Sequence, residues 1–198
     1  MIKALFEKHF YKQLEGKDLA SMRAGGRATK EFPNKEDEGW WLKHGPDMLQ
    51  RWVDWRSNSN WSIWVTPDGV PAIELGLMVD MDGVPVKMSI DRVMVTPEGE
   101  LVVLDLKTGS RTPQSDLQLA FYAAGIDLTY GIRPSLGTYW MARTGITSSP
   151  IDLTSMPTNK ILNMVKMFDT TRRQGLFIPN FKHCTLCTFT QICEWRKP

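Results

Sequence analysis

Two aspartates and one lysine in a single hairpin are the residues of this sequence best placed to do chemistry. They lie in the stretch Val84 to Gly109, VPVKMSIDRVMVTPEGELVVLDLKTG. The turn signal Pro97-Glu98-Gly99 divides it into two alternating runs, which predicts an antiparallel pair of strands. In the first run Val86, Met88 and Ile90 share one face, with Ser89 and Asp91 on the other. In the second, Leu101, Val103, Asp105 and Lys107 share a face. With Glu98 at the tip of a short loop, Thr96 pairs with Glu100, and counting back sets Asp91 opposite Asp105. Directly opposed side chains lie ~4.5–5.5 Å apart at Cβ. Two carboxylates so close repel when both are ionised. A chain resolves that by protonating one, by adding a cationic side chain, or by binding a metal. Hard oxygen donors suit Mg²⁺ or Mn²⁺, which keep several waters and take phosphate oxygens. Lys107 could orient an attacking water or screen charge on a phosphate. The same residues also read as an exposed Asp/Lys face of an ordinary hairpin, and spacing alone leaves both readings open.

Gln118 and Tyr122 follow on the next helical segment. Their spacing projects them from one helix face, about one turn apart. An amide and a phenol placed so could grip a sugar-phosphate backbone, or simply form amphipathic surface.

Positioning these groups falls to the surrounding elements. Ile2, Leu5, Phe6, Phe10 and Leu14 recur at helical spacing, so residues 1–15 predict an amphipathic helix. Residues 16–36, with Gly16, Gly25, Gly26 and Pro33, predict a loop. Residues 37–56 predict a second helix with a break at Gly45-Pro46 and with Met48, Leu49, Trp52 and Trp55 on one face. Residues 61–106 change to short apolar runs between turn signals, a β-meander. Thr112 as N-cap, Pro113 at the first helical position and Asp116 in the first turn predict a helix that runs to about Tyr130, closed by Gly131 and Pro134. Leu136–Met141 predicts a strand. Residues 155–173 predict a last helix with Ile161, Leu162, Val165 and Phe168 as its buried stripe. That order is an α/β (α+β) core.

Ile90-Asp91-Arg92, then Val103-Leu104-Asp105-Leu106-Lys107-Thr108-Gly109, then Gln118-Leu-Ala-Phe-Tyr122 together resemble the PD-(D/E)XK nuclease superfamily. The resemblance is to its RecB-like branch, which includes phage exonucleases and CRISPR-adaptation nucleases, and it covers residues 72–130 best. It implies a restriction-endonuclease-like core, a central mixed β-sheet flanked by helices. The nuclease domain would span 1–174, with a helical part at 1–58, the catalytic core at 60–142 and the last helix at 155–173; 175–198 would be a cysteine-bearing tail. The activity implied is metal-dependent hydrolysis of DNA phosphodiester bonds, by an exonuclease or endonuclease. Asp91, Asp105 and the Leu106 carbonyl would hold Mg²⁺ or Mn²⁺, Lys107 would assist the water nucleophile, and Gln118 and Tyr122 would position DNA. Arg111, Arg172 and Arg173 are further DNA-binding candidates, whereas strand parity turns Arg92 away from Asp91. The alternative is a nuclease-fold DNA-binding or accessory protein with weak or lost cleavage.

Cys184, Cys187 and Cys193 form C-x₂-C followed by a third cysteine. Such tails resemble those of RecB-like nucleases in which three C-terminal cysteines join an N-terminal one on a [4Fe–4S] cluster. Here no cysteine precedes Cys184. Zinc is the rival, with His183 adjacent to Cys184 and His44 distant as fourth ligands; buried reduced thiols are the plain reading. Relatives also carry a metal-binding histidine on an early helix, for which His9 is the first candidate here and His44 the second. The missing cysteine and the missing Gly-x-x-x-His setting together imply that the chain lacks the family's N-terminal segment.

Composition narrows the class. Among 198 residues, 24 Lys and Arg balance 22 Asp and Glu to a net charge of +2, which excludes a polybasic coat but not a local basic groove. No apolar run approaches the ~20 residues of a membrane helix. Three cysteines, all near the C-terminus, argue against a secreted disulfide framework. The expectation is a cytoplasmic protein of a bacterial or phage-infected cell, with DNA as partner, no membrane, and a homo-oligomer or a recombination or CRISPR-adaptation partner open. Trp40, Trp41, Trp52, Trp55, Trp61 and Trp64 could stack on unpaired bases, but core packing is the stronger reading.

Overall fold

The computed structural model describes residues 1–18, 24–177, 179–181, 184, 187–189 and 191–195. Two helices come first, α1 (Ile2–Leu14) and α2 (Glu38–Asn58). The chain then forms β1 (Ser62–Ile63), β2 (Ile73–Met81), β3 (Val84–Val95) and β4 (Leu101–Lys107). Next come α3 (Leu117–Tyr130), β5 (Leu136–Met141), β6 (Ile146–Thr147), β7 (Ile151–Asp152) and α4 (Thr158–Arg173). Among the described residues these strands make one mixed sheet, ordered β1-β3-β4-β5-β6, with β2 also on β3 and β7 also on β5. β3 is antiparallel to β2 and β4, whereas β4 and β5 run parallel. Parallel neighbours need a crossover, and α3 provides it. The result is the expected mixed sheet flanked by helices.

Each face of the sheet is covered. On one side Leu119, Ala120, Ala123 and Ala124 of α3 and Ile161 and Val165 of α4 pack on Leu75, Leu77, Val79 and Val103. On the other, Met48, Trp41, Trp52 and Trp55 of α2 pack with Met94, Leu104 and Trp140. The tryptophan-rich block is therefore core, as composition favoured. α1 has no buried residue and rests on α2 through Phe6. A Cβ at Gly45 would stand 2.0 Å from Phe6 Cζ, so a side chain there would displace the Phe6 ring through which the two helices meet.

Four sequence expectations change. The Gly45-Pro46 break does not occur; α2 runs through it. Proline costs one helical hydrogen bond, but Asp37 caps the helix by accepting from Trp40 N–H at 3.1 Å, and the tryptophan face anchors the rest. α3 starts at Leu117 and not at Thr112. Thr112 and Pro113 lie in the loop that carries the chain from β4, and Asp116 is the N-cap residue without a side-chain cap, facing the Tyr139 hydroxyl at 3.5 Å. Phe168 is 67% exposed. The covered row of α4 runs through Ile161 and Val165 to Asp169, whose side chain is 13% exposed. Lastly, the alternation of β3 slips by one. Met88 and Ile90 pack on the α3 side, and so does Val93, while Met94 joins the tryptophan side. Opposite the slip, Glu74 takes φ 49 between Ile73 and Leu75, which pair with Arg92 and Ile90.

Gly131 closes α3 at φ 68, and the strand Leu136–Met141 falls where its residues predict. Among the described residues no helix is long and apolar enough to cross a membrane.

Candidate active site

The hairpin register puts the carboxylates together. Thr96 N–H donates to Glu100 O at 2.9 Å across the loop, and Val95 to Arg92 pair with Leu101 to Leu104. The ladder ends there, one step short of Asp91 and Asp105, and the charge of Asp91 still acts on Asp105. Beyond Arg92 the strands part, and Asp91 reaches across the gap: its Oδ2 accepts from Leu106 N–H at 2.7 Å. The Arg92 side chain goes to the opposite side of the sheet, over the Trp52 ring at 5.7 Å, and pairs with Glu74 at 3.2 Å. Glu74 is thereby held by arginine and does not join the carboxylate pair.

Asp105 is 2% exposed. Lys107 Nζ stands 2.7 Å from its Oδ2 as an ion pair, the one charged partner this buried oxygen has among the described residues. Burial pushes the Asp105 carboxyl above its ordinary range, Lys107 draws it down, and the charge of Asp91 raises it again. A buried carboxylate close to a second carboxylate is an environment that a cation relieves. The donor set therefore fits a hard divalent ion. Among the described residues no third His, Cys, Asp or Glu completes such a group.

Lys107 leads from the carboxylates to α3. Its Nζ donates to Gln118 Oε1 at 3.0 Å, and Gln118 Nε2 donates to the Tyr122 hydroxyl at 2.8 Å. The helical spacing of Gln118 and Tyr122 thus serves one network. Burial raises the Tyr122 phenol, its bond to Gln118 lowers it, and Asp105 and Asp91 raise it. The phenol stays neutral and able to donate. Beneath Lys107 lies the Tyr139 ring, 5.9 Å away, its hydroxyl pushed up to about 12 by burial and by Asp116 and Asp105.

The other candidates sit elsewhere. His9 is exposed on α1. His44 packs against Trp40 and Phe32, with ring centroids at 4.6 and 5.6 Å. Arg111 is exposed in the loop before α3. Arg172 and Arg173 both pair with Asp169, Arg172 Nη2 at 2.7 Å, and line a groove with Leu117 and Phe121. In the tail, Cys187 N–H donates to Cys184 O at 3.3 Å, while Cys193 is half-buried; His183 lies outside the described residues.

Sequence reasoning did not single out Arg143. Its Nε donates to Thr108 O at 2.7 Å, it pairs with Glu36 at 2.9 Å, and it stacks on Trp40 at 4.7 Å. It pins the chain just after Lys107. No local signal marks it, because its partners are distant in the chain.

Two proteins described as "Gene 69 protein" resemble the chain. The one from Mycobacterium phage D29 is 33% identical over 190 residues, covering 85% of this chain and 69% of the relative. That from Mycobacterium phage L5 is 30% identical over 209 residues, covering 85% and 70%. The crystal structure of SSO0001 aligns with 99% of this chain and 82% of its own at 12% identity and a TM-score of 0.47, too loose an overlap to bear on function. The family model of the PD-(D/E)XK nuclease superfamily matches residues 4–194, nearly the whole chain and every residue of the carboxylate–lysine network, and the chain belongs to that superfamily.

Proposed function

We propose that the protein is a divalent-metal-dependent DNA nuclease of the RecB-like branch, acting as an exonuclease. One observation carries the reading: the buried carboxylate of Asp105 stands within the field of Asp91 and 2.7 Å from the Lys107 ammonium. Asp91, Asp105 and the Leu106 carbonyl would hold Mg²⁺ or Mn²⁺. When bound, such an ion lowers the pKa of a coordinated water and polarises a phosphate oxygen. Lys107 orients the attacking water and balances charge that builds on the phosphate. Gln118 fixes the Lys107 ammonium through its Oε1, and Tyr122 fixes the amide in turn. Both side chains also offer donors to the sugar-phosphate backbone. Arg111, Arg172 and Arg173 supply cations along the approach. Cys184, Cys187 and Cys193 would hold an iron–sulfur cluster or zinc, which metal analysis and visible absorption of anaerobically purified protein decide.

End-labelled single- and double-stranded DNA, incubated with Mg²⁺ or Mn²⁺, tests the activity. Wild type should shorten the DNA from an end, EDTA should stop it, and Asp105→Ala and Lys107→Ala should be inactive. DNA that shifts on a gel but stays intact with wild type would favour the accessory-protein reading.

A further inference from the structure

We propose that the open edge of β3 at residues 84–87 takes an extended acidic segment of a partner protein as an added strand, with its apolar side chains seated in the groove between α3 and α4. The edge follows from the hairpin that precedes it. Asp82 and Gly83 both take positive φ, 58 and 82, as the two-residue turn joining β2 to β3 requires. Such a turn closes on a pair that exchanges both hydrogen bonds, here Met81 and Val84. Bonding then alternates along β3: Val84 and Val86 bond to β2, while Pro85 and Lys87 turn their main-chain polar groups to the other side. β4 would cover that side, but it pairs with β3 only over residues 92–95. Among the described residues no hydrogen bond reaches the Lys87 main chain there. Lys87 therefore offers one N–H and one C=O to an incoming strand. Pro85 adds only a C=O, and proline on an open edge limits indiscriminate pairing.

The groove along this edge has a volume of about 750 Å³. Leu117 and Phe121 of α3 and Met164 and Phe168 of α4 line it together with Val84 and Val86. Phe168 is 67% exposed, so apolar surface there lies open. A strand added to β3 alternates its side chains. The row that shares the face of Val84 and Val86 meets this apolar lining, and the row that shares the face of Lys87 meets its ammonium. Charge fixes the character of that second row. Lys87, Arg172 and Arg173 line the groove against one acid, Asp169, which the two arginines share. Lys87 is exposed and pairs with no acid among the described residues. The matching occupant is extended, apolar at alternate positions and acidic between them. Strand addition needs donors and acceptors in alternation. A peptide backbone has both, whereas a sugar-phosphate chain offers acceptors alone.

A fluorescein-labelled heptapeptide that alternates leucine with glutamate tests the edge, by anisotropy with the whole protein. Wild type should bind it about tenfold more tightly than the same peptide with lysine for glutamate. Methylating one alternate set of its amide nitrogens should cost about tenfold and methylating the other set little, because only one set faces β3. Lys87→Glu should invert the charge preference, and Phe168→Asp should weaken binding about tenfold. Both side chains are exposed, so neither variant disturbs the core. The Lys87 amide, followed by NMR, should exchange fast in the free protein and at least about tenfold more slowly with the peptide bound. Equal costs for the two methylated sets, or a charge preference that Lys87→Glu leaves unchanged, overturns the proposal. Slow exchange at Lys87 in the free protein overturns it too: slowing that fades on dilution would assign the edge to a second copy, and slowing that persists would assign it to the chain's own tail. Phe168→Asp that weakens DNA binding and not peptide binding would give the groove to DNA instead.

Discussion

Removing the charge of Asp105 should stabilise the metal-free protein while destroying its activity. The carboxylate is 2% exposed, and its pKa is raised chiefly by burial, against the lowering contact of Lys107. A group whose folded pKa lies above its unfolded value binds protons more readily in the folded state. Its ionised form is thus a penalty, fully present above the folded pKa and relieved as pH falls through that value. A buried polar atom left unpaired costs roughly 1–3 kcal/mol. Lys107, at 2.7 Å, offsets part of that. Asp105→Asn should therefore gain about 1 kcal/mol at neutral pH, or about 2–4 °C in Tm for a chain of this size. The assay is thermal unfolding in EDTA, followed by circular dichroism from neutral pH down into the carboxylate range. The gap between variant and wild type should narrow as pH falls. Adding Mg²⁺ or Mn²⁺ should raise the Tm of wild type alone. A variant that melts below wild type in EDTA at neutral pH would refute the reasoning, because Lys107 would then more than compensate the burial of Asp105.

Other expectations follow from single contacts. Lys107→Ala should reduce cleavage by about a hundredfold or more while leaving DNA binding within a few-fold, as gel shifts and initial rates would report. Gly45→Ala drives a methyl group into the Phe6 ring, so it should lower stability by about 1–3 kcal/mol and free α1 to proteases; equal urea midpoints and equal proteolysis would contradict the helix contact. Arg133 donates to Thr158 Oγ1 at 2.8 Å and to the Met156 carbonyl, tying the end of α3 to the start of α4. Arg133→Ala should cost about 2 kcal/mol in urea unfolding, and a loss below about 0.5 kcal/mol would show that water replaces these bonds.

The centre of the site was legible because a turn fixes a register. Pro97-Glu98-Gly99 sets Thr96 against Glu100, and every later pair down to Arg92 and Leu104 follows by counting. Gln118 and Tyr122 were legible because helical spacing forces them to one face. Local periodicity carries no information where tertiary contacts override it. The slip between Ile90 and Val93 answers to the unusual backbone of Glu74 on the next strand. Pro46 survives inside α2 because Met48, Trp52 and Trp55 hold that helix to the sheet. Phe168 matches a buried stripe by spacing alone, yet it is 67% exposed, while Asp169 beside it is held by Arg172 and Arg173. The role of Arg143 comes from partners far along the chain.

Manganese titration followed by electron paramagnetic resonance tests the carboxylate pair most directly. Wild type should bind Mn²⁺, and Mg²⁺ should compete for it. Asp91→Ala and Asp105→Ala should each abolish that binding while both variants keep the wild-type circular dichroism spectrum. Unchanged Mn²⁺ binding by the folded Asp105→Ala variant would contradict a metal centre built on Asp91 and Asp105.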